Sequence, residues 1–397
     1  MRMRKATAAL AGFLLAGVAA TPAHAETVRS QQWHLTSMKA DDIWKVSMGR
    51  GITVAVIDGG VARIPELEGQ VVPGKDFATT YDGDERTDSN QHGTGMAALI
   101  AGTGKHPSGD GAFGLAPAAK ILPIRVPEGV DVKNAAWTAA IRYAADTEAK
   151  IISISLASGE EDPARLDAVK YALSKGKLIF AGVGNRGAGS NDVLYPAATP
   201  GVVGVGAVDS GGKAVAESEH GPQVDLAAPG GDIVTACAGK TGVCKGTGTS
   251  NATALASASA ALVWSAHPDW TNNQVLRVLM NTAGKPTDGT ARSDFVGYGI
   301  VRPRIAVATP GDPGPADVYP LPDLAEAGGG TGAKGSPAPS VDGNTPQAGG
   351  GAATPAPQAE AKEESGGSSL PWLALGLGAC VLIGGAVTAV AVRRRNR

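Results

Sequence analysis

The sequence has few cysteines and no excess of charge of either sign. Three cysteines among 397 residues are too few for a fold held together by disulfides or for a zinc site with four cysteine ligands, and they allow at most one bridge within the chain. The 35 basic and 37 acidic side chains give a net charge of −2, which offers no basic surface to a polyanion. We therefore expect no nucleic-acid partner.

Hydrophobic segments lie at both ends of the chain. Residues 1–25 combine a basic start, an apolar stretch and the ending Ala23-His24-Ala25, which is the pattern of a signal peptide cleaved after Ala25. Residues 370–392 are 23 consecutive uncharged residues, followed by a tail, residues 393–397, with four arginines. Such a run is long enough for a transmembrane helix, with a buried core helix as the alternative. The basic tail predicts a single-pass protein of the cell membrane, its tail cytoplasmic and its main part extracytoplasmic.

Residues 309–369 separate the predicted span from the rest of the chain. These 61 residues include 10 prolines, 13 glycines and one aromatic side chain, Tyr319. A segment so poor in large apolar side chains cannot offset the entropy lost on ordering, so we predict a disordered linker, either a functional stalk or a passive spacer. Residues 26–308 contain no second break of this kind and are predicted to form one domain.

The region 26–308 alternates short β-branched runs with longer alanine-rich ones. Several short runs are apolar throughout, which is typical of parallel strands covered on both faces. The predicted fold class is a three-layer α/β domain with a mostly parallel sheet. The predicted strands are 52–57, 121–126, 151–156, 178–182, 202–207 and 224–227, and the predicted helices are 92–101, 132–147, 163–174, 250–266 and 271–281.

Three residues with reactive side chains lie where predicted strands end or helices begin. Asp58 follows the first strand, His92 begins a helix, and Ser250 lies between a glycine-rich stretch and a helix. Alone, each has an ordinary structural explanation: a turn at Asp58-Gly59-Gly60, an exposed histidine and a helix N-cap. Together they offer a carboxylate to orient an imidazole base and a hydroxyl for that base to activate.

Asn185 follows the predicted strand 178–182 and carries a side-chain amide that does not titrate. Near the carboxyl ends of parallel strands, such an amide can donate a hydrogen bond to the oxyanion that forms when a hydroxyl attacks a carbonyl carbon. The helix N-terminus at Ser250 can stabilise the same charge. The predicted chemistry requires no cofactor and no metal.

The order Asp58, His92, Ser250 with these surroundings resembles that of the subtilisin-like serine proteases, peptidase family S8. The resemblance implies a subtilisin-like fold in which these residues are the catalytic triad of an endopeptidase and Asn185 is the oxyanion-hole donor. It runs from about residue 51 to residue 304 and includes the motifs Gly114-Leu115-Ala116-Pro117, Tyr195-Pro196-Ala197-Ala198, Ala227-Ala228-Pro229-Gly230 and Gly297-Tyr298-Gly299.

The resemblance also implies where a polypeptide substrate binds. A substrate strand would lie along the edge formed by residues 153–158. Leu156-Ala157-Ser158 stands in place of the usual Leu-Gly-Gly, and the added Cβ favours small side chains on the substrate residue whose carbonyl is attacked. The implied substrate-binding residues are Ser155, Leu156, Ala157, Gly182 and Gly184.

The arrangement of a signal peptide, a protease domain, a proline-rich linker and one C-terminal span is similar to that of the mycosins, the membrane-anchored subtilases of type VII secretion systems. Gln31-Gln32-Trp33 and Trp44, ahead of the first strand, fit the same branch. The resemblance implies a type VII secretion membrane complex as a partner. As in mycosins, only about 25 residues lie between the predicted cleavage site and the first strand, too few for a domain-sized propeptide.

Two departures from the family pattern leave a second function open. The family usually has serine or threonine where Gly59 follows the aspartate, and proline where Ala254 lies four residues after the serine. The first removes one support of the carboxylate, and the second lowers local rigidity without harming the fold. The alternative function is a catalytically weak or inactive subunit that keeps the subtilase fold to stabilise a membrane secretion complex.

Cys237 and Cys244 enclose only six residues in a chain that is predicted to reach an oxidising compartment. A disulfide that closes a hairpin just before the Ser250 loop is predicted, with two buried free thiols as the alternative. Cys380 lies within the predicted span and is expected to be an apolar side chain only.

An acidic cluster lies between the first strand and His92. Its spacing matches no calcium-binding loop that we recognise, so a solvated loop is favoured over a calcium site. No metal site is therefore predicted. The cluster consists of Asp82, Asp84, Glu85 and Asp88.

Overall fold

The structure, a computed structural model, describes residues 26–79, 82–127, 135–239 and 242–328. The predicted signal peptide, most of the predicted linker, the predicted transmembrane helix and the basic tail lie outside these ranges. Within them, no helix is both long enough and apolar enough to cross a membrane.

A parallel sheet forms the centre of the unit Met1–Gly335, which contains all described residues; the second unit of the chain is Ser336–Arg397. The described strands are β1 (Thr53–Asp58), β2 (Lys75–Asp76), β3 (Lys120–Arg125), β4 (Ile151–Ile154), β5 (Leu178–Gly182), β6 (Val203–Val208), β7 (Leu226–Pro229), β8 (Ile233–Ala236) and β9 (Val243–Gly246). The first seven form one sheet in the order β2-β3-β1-β4-β5-β6-β7, and β8 and β9 form a separate antiparallel hairpin. In this register Val54 of β1 pairs with Ile121 and Ile151 of its two neighbours.

Helices connect most of the strands and surround the sheet. Residues Pro65–Leu67 form a single 3₁₀ turn. The described α-helices are α1 (Val28–Gln31), α2 (Trp33–Ser37), α3 (Ala40–Ile43), α4 (His92–Ala101), α5 (Ala135–Ala145), α6 (Pro163–Ser174), α7 (Thr249–Ala266), α8 (Asn272–Thr282), α9 (Pro303–Ala308) and α10 (Asp323–Glu326).

The two faces of the sheet bury two separate cores, because alternate residues of a strand point to opposite faces. On β1, Val54 and Val56 belong to the core that α4, α7 and α8 cover, whereas Ala55 and Ile57 belong to the core that α5 and α6 cover. Both faces are thus covered by helices, as a parallel sheet requires. The predicted three-layer α/β fold with a mostly parallel sheet is confirmed.

All predicted strands and helices have counterparts, with ends that differ by a few residues. The strand predicted at 224–227 lies at Leu226–Pro229, and the one predicted at 151–156 already ends at Ile154. The sequence predicted the hairpin that Cys237 and Cys244 close but not the bounds of β8 and β9. It did not predict β2 or the short helices before β1. β2 and these helices are two to five residues long, so none produces an apolar run or a helical period.

Residues 313–326, here called the C-terminal strap, pack against the domain. Leu321 is 2% exposed and belongs to the core that α7 and α8 cover. The Tyr319 hydroxyl donates to the carbonyl oxygen of Gly201 at 2.9 Å, and the N–H of Gly201 donates to Oδ2 of Asp323 at 2.8 Å. The strap is therefore held at two points by one loop of the domain.

Helix α8 binds the beginning of the strap through its backbone. Arg277 donates to the carbonyl oxygens of Pro313 and Pro315 at 2.8 and 2.9 Å, and Asn273 donates to that of Ala316 at 2.9 Å. The prediction that a disordered linker begins at residue 309 is therefore wrong for this stretch. The amino-acid composition of the strap does not reveal its order, because that order depends on α8. The polar side chains of α8 donate hydrogen bonds to the carbonyl oxygens of the strap.

Cys237 and Cys244 form the predicted disulfide at the turn of the β8–β9 hairpin, with Cα atoms 5.8 Å apart. Replacing both cysteines with alanine is expected to lower the free energy of unfolding by about 2.5 kcal/mol, because an eight-residue loop is no longer closed in the unfolded chain. Urea unfolding of the wild type and the double variant measures this difference. The wild type in reducing agent should match the variant, and equal midpoints under oxidising conditions would contradict the prediction.

Candidate active site

Asp58 and His92 form a hydrogen-bonded pair at the carboxyl edge of the sheet. Asp58 is the last residue of β1, and His92 is the first residue of α4. The Asp58 carboxylate is fully buried, and its Oδ1 lies 2.9 Å from Nδ1 of His92. Because Nδ1 faces the carboxylate, Nε2 of the same ring points away from it, and His92 lines an open cleft.

Gly93 permits the close approach of the two residues. A Cβ atom at residue 93 would lie 2.2 Å from the carbonyl oxygen of Gly60 and 2.8 Å from Cβ of Asp58. Both distances are shorter than any real contact of a Cβ atom. A larger residue at this position would therefore separate β1 from α4.

Asp88 fixes the beginning of α4. Its carboxylate accepts hydrogen bonds from the N–H groups of Gln91 at 2.9 Å and Thr94 at 2.8 Å, on either side of His92. Asp84, in the same acidic cluster, accepts the N–H of Arg86 at 2.9 Å. Asp88 is thus a helix cap rather than part of a solvated loop. In the part of the chain that the structure describes, no group of three or more His, Cys, Asp or Glu could hold a metal ion.

Ser250 is the second residue of α7, directly after the glycine-rich turn. Its hydroxyl donates to the carbonyl oxygen of Ser155, the residue after β4, at 3.2 Å. Ser250 and His92 line the same cleft of about 960 Å³, and both also line a second cavity of about 490 Å³. The fold therefore brings Asp58, His92 and Ser250 to one place from three distant parts of the sequence.

Asn185 lies between these two cavities and lines both. Its Oδ1 accepts hydrogen bonds from the N–H of Thr249 at 2.8 Å and from the Thr249 hydroxyl at 3.2 Å. With the acceptor end fixed in this way, the Nδ2 end of the amide is the one left to donate to a ligand. Thr249, which holds the Asn185 amide in place, directly precedes Ser250.

All five residues that were predicted to bind substrate line the larger cleft, and Ala157 among them is exposed. The glycines among them are required by their surroundings. A Cβ at Gly182 would lie 2.9 Å from the Thr249 hydroxyl, and Gly184 has a φ of +117°, which side chains disfavour. The predicted residues are Ser155, Leu156, Ala157, Gly182 and Gly184.

The cleft contains further residues that the sequence did not identify. Val193 and Leu194 add apolar surface, and Arg186 and Asp192 add charge. A Cβ at Gly184 would lie 2.7 Å from Cδ1 of Leu194, so the leucine side chain packs against that glycine and narrows the cleft there. The available signal was position: Asp192, Val193 and Leu194 directly precede the Tyr195-Pro196-Ala197-Ala198 motif, and Arg186 directly follows Asn185.

The N-terminal segment lies elsewhere on the domain. The Trp33 indole donates to the carbonyl oxygen of Gly231 at 3.1 Å, and the Trp44 indole donates to that of Leu115 at 2.9 Å. None of the described residues lining the cleft comes from 26–50. Residues 26–50 therefore pack against the domain and do not cover the cleft.

The two departures from the family pattern have different consequences. At Gly59 the backbone N–H donates to Oδ1 of Asp58 at 2.8 Å, but Oδ2 has no hydrogen-bond partner among the described residues. Glycine at residue 59 has no side-chain hydroxyl to offer this carboxylate. Ala254 is fully buried within the unbroken helix α7 and causes no disturbance.

A buried carboxylate bonded to an imidazole, a hydroxyl at a helix N-terminus and a fixed amide, all beside one open cleft, are the groups of a serine hydrolase. The model of the subtilase family matches residues 49–299, which is more than half of the chain. The chain therefore belongs to the subtilase family.

Characterised relatives share the domain but not always the full length. The chain is 37% identical over 207 residues to the thermophilic serine proteinase of Bacillus sp. (strain AK1), an alignment that covers 50% of this chain and 49% of that protein. It is 32% identical over 264 residues to subtilisin BL of Lederbergia lenta, covering 65% and 91%. The chain thus spans about half the length of the first of these relatives and nearly all of the second.

Solved structures connect the fold with mycosins. MycP1 from Mycobacterium smegmatis superposes with a TM-score of 0.64 at 28% identity, over 75% of this chain and 89% of that one. A chain of the periplasmic assembly of the ESX-5 inner membrane complex superposes with a TM-score of 0.63 at 25% identity, over 81% and 92%. The structural neighbours of this subtilase therefore include proteases and assemblies of type VII secretion.

Proposed function

We propose that this chain is a serine endopeptidase in which Asp58, His92 and Ser250 are the catalytic triad and Asn185 donates to the oxyanion. The proposal depends above all on the 2.9 Å hydrogen bond between the buried Asp58 and His92, at the wall of a cleft that Ser250 also lines. Membership of the subtilase family supports the same roles.

In the proposed reaction, Nε2 of His92 accepts the hydroxyl proton of Ser250 while Oγ attacks the carbonyl carbon of a peptide. Asp58 holds Nδ1–H and stabilises the imidazolium that forms. The Asn185 amide and the N-terminus of α7 stabilise the oxyanion. The proton then passes to the leaving amine, an acyl-enzyme forms on Ser250, and water releases it by the same steps.

Covalent labelling tests this proposal most directly. A fluorophosphonate probe is expected to label the full-length chain, because an activated serine attacks its phosphorus and displaces fluoride. The Ser250→Ala chain should remain unlabelled under the same conditions. A folded wild type that the probe does not label would contradict the proposal and favour a non-catalytic role.

We also propose that the protease is a single-pass protein of the cell membrane, its domain extracytoplasmic, that acts with a type VII secretion membrane complex. The pattern of residues 1–25 and 370–392 and the neighbours MycP1 and the ESX-5 assembly support this. Deleting residues 370–397 should move the protein from the membrane fraction to the soluble extracytoplasmic fraction. Unchanged membrane association would contradict the proposed anchor.

The second candidate is a structural subunit of such a complex. Oδ2 of Asp58, which has no hydrogen-bond partner among the described residues, and the likeness to a chain of the ESX-5 assembly favour it. The two functions differ in one respect: a structural subunit keeps its role when Ser250 is replaced by alanine. Secretion that survives Ser250→Ala but not deletion of the gene would establish a structural role beside or instead of catalysis.

The cleft favours substrates with a small side chain on the residue whose carbonyl is attacked. Ala157 adds a Cβ to one wall, and Leu194 packs against Gly184 on the other. Leu194→Gly should therefore raise kcat/KM for peptides with phenylalanine at this position, relative to alanine, by about tenfold or more. Val46→Ala, at an exposed residue that does not line the cleft, is the control. An unchanged ratio in Leu194→Gly would refute this account of specificity.

A further inference from the structure

Glu219 is a buried carboxylic acid for which the proposed reaction has no use. Its side chain is 0% exposed, and neither Oε1 nor Oε2 has a hydrogen-bond partner among the described residues. It lies between β6 and β7, in the stretch Glu217-Ser218-Glu219-His220. Burying an ionised carboxylate without partners is strongly unfavourable, so such a group calls for an explanation.

The carboxyl group of Glu219 lies directly behind Gly184. A Cβ at residue 184 would be 2.4 Å from Oε2 of Glu219 and 2.6 Å from its Cδ. The N–H of Glu219 donates to the carbonyl oxygen of Gly184 at 3.0 Å, and the N–H of Gly187 donates to that of Glu217 at 2.9 Å. The turn 184–187, which carries Asn185, therefore rests on the Glu219 segment.

We propose that Glu219 is a positioning residue for the reaction: its neutral carboxyl group supports the turn that holds Asn185, and its ionisation displaces this turn and misaligns the Asn185 amide. The inference rests on the proposed function, since it requires Asn185 to donate to an oxyanion. Glu219 does not line the cleft among the described residues, so it acts through Gly184 and Asn185 and not by contact with substrate.

Burial and, to a smaller extent, the surrounding charges bring the pKa of Glu219 close to neutral pH. Burial raises the pKa of Glu219 to about 7; the negative charge of Asp192 also raises it, and the nearby backbone N–H and positive charge of Arg186 lower it. Arg186 and Asp192 lie 3.9 Å apart at the cleft. On its own segment, Glu217 is exposed and His220 is hydrogen-bonded to Asn191.

Ionisation must change this arrangement, because a buried carboxylate needs donors or a cation. Arg186 is a cation that acts on Glu219, and its side chain is 62% exposed. Arg186 directly follows Asn185 in the chain. The ionised carboxylate of Glu219 either draws the Arg186 side chain inward or admits water behind Gly184. Each of these changes moves the turn 184–187. A shift of about 1 Å in a catalytic group can lower a rate by about a hundredfold.

The pH profile of the full-length chain tests the inference. The rate of fluorophosphonate labelling and kcat/KM for a peptide should rise with pH as His92 becomes neutral and then fall above pH 7, to about a tenth of the maximum at pH 9. Glutamine is neutral and has the same shape as glutamic acid. In Glu219→Gln the rate should therefore still rise with pH but should not fall above pH 7. The fall should appear in kcat more than in KM.

Two exposed neighbours supply matched variants whose folding is not at risk. Asp192→Asn should move the falling limb to lower pH, because it removes a negative charge that raises the pKa of Glu219. Arg186→Gln should move it to higher pH, because it removes the positive charge that lowers this pKa. Shifts in these opposite directions would support the inference even if Glu219→Gln proved unstable.

Thermal unfolding gives a second readout that needs no activity. Folding raises the pKa of Glu219 from 4.5 to about 7, so the stability from the protonated group is complete below pH 4.5 and is lost as the pH rises to about 7. The wild-type Tm should fall over this interval more than that of Glu219→Gln. If the wild type is labelled but Glu219→Gln shows the same fall in rate above pH 7, the inference about Glu219 is wrong and the proposed function is unaffected. A wild type that is not labelled at any pH overturns the proposed function with it.

Discussion

Replacing Ser250 with alanine is expected to lower kcat by about a million-fold, the loss found for the corresponding change in a subtilisin. The hydroxyl is the nucleophile in the proposed reaction, and without it the acyl-enzyme on Ser250 cannot form. Stability should change little, because the hydroxyl makes one hydrogen bond of 3.2 Å, to the Ser155 carbonyl. Steady-state hydrolysis of a peptide, together with the Tm of the same preparation, measures both effects.

Ser257 provides the matched control for this experiment. It lies two turns further along α7, and its buried hydroxyl has no partner among the described residues. Ser257→Ala should leave kcat unchanged. Adding His92→Ala to Ser250→Ala should cost little more, because the members of a triad act as a unit. If Ser250→Ala hydrolyses peptides at a rate near that of the wild type, the proposed nucleophile is wrong.

Replacing Asn185 with aspartate is expected to lower kcat by about a hundredfold to a thousandfold, with a much smaller change in KM. Aspartate keeps an oxygen in the place of Oδ1, which accepts the Thr249 N–H at 2.8 Å, but it cannot donate to an oxyanion. The loss should appear in kcat because the donated hydrogen bond is strongest in the transition state. Steady-state kinetics with one peptide substrate is the measurement.

Asn185→Ala separates the two uses of this side chain. It removes both the donor and the acceptor, so it should lose as much kcat as Asn185→Asp and also some stability, because the N–H of Thr249 at the beginning of α7 loses its side-chain acceptor. A different outcome is informative. If Asn185→Asp keeps most of the wild-type kcat, the amide serves only to hold Thr249 and is not an oxyanion donor.

The sequence predicts those parts of the molecule in which a local pattern determines the structure. Strands such as Leu178–Gly182 are buried over their whole length, so their apolar runs were sufficient to identify them and their parallel arrangement. Asp58, His92, Asn185 and Ser250 stand at strand ends and helix starts, where topology alone brings side chains to one edge. Their convergence at one cleft could be expected for this reason.

Other features depend on contacts between distant segments and leave no local signal. Glu219 lies in a polar stretch that predicts an exposed loop, and only the packed turn above it makes the carboxyl group buried. Leu194 is one apolar residue in an irregular segment, and its effect on the cleft depends on its contact with Gly184. The C-terminal strap has the composition of a linker, yet α8 supplies the hydrogen-bond donors that order it.

The way α8 holds the strap determines where a shortened protein can safely end. Because Arg277 and Asn273 bind carbonyl oxygens, many substitutions between Pro313 and Ala316 should be tolerated. Removal of the whole strap is a different matter, since it would expose the surface that Leu321 now covers to water and favour aggregation. A soluble fragment for crystallisation or assay should therefore extend at least to Glu326 and not stop at the end of α9.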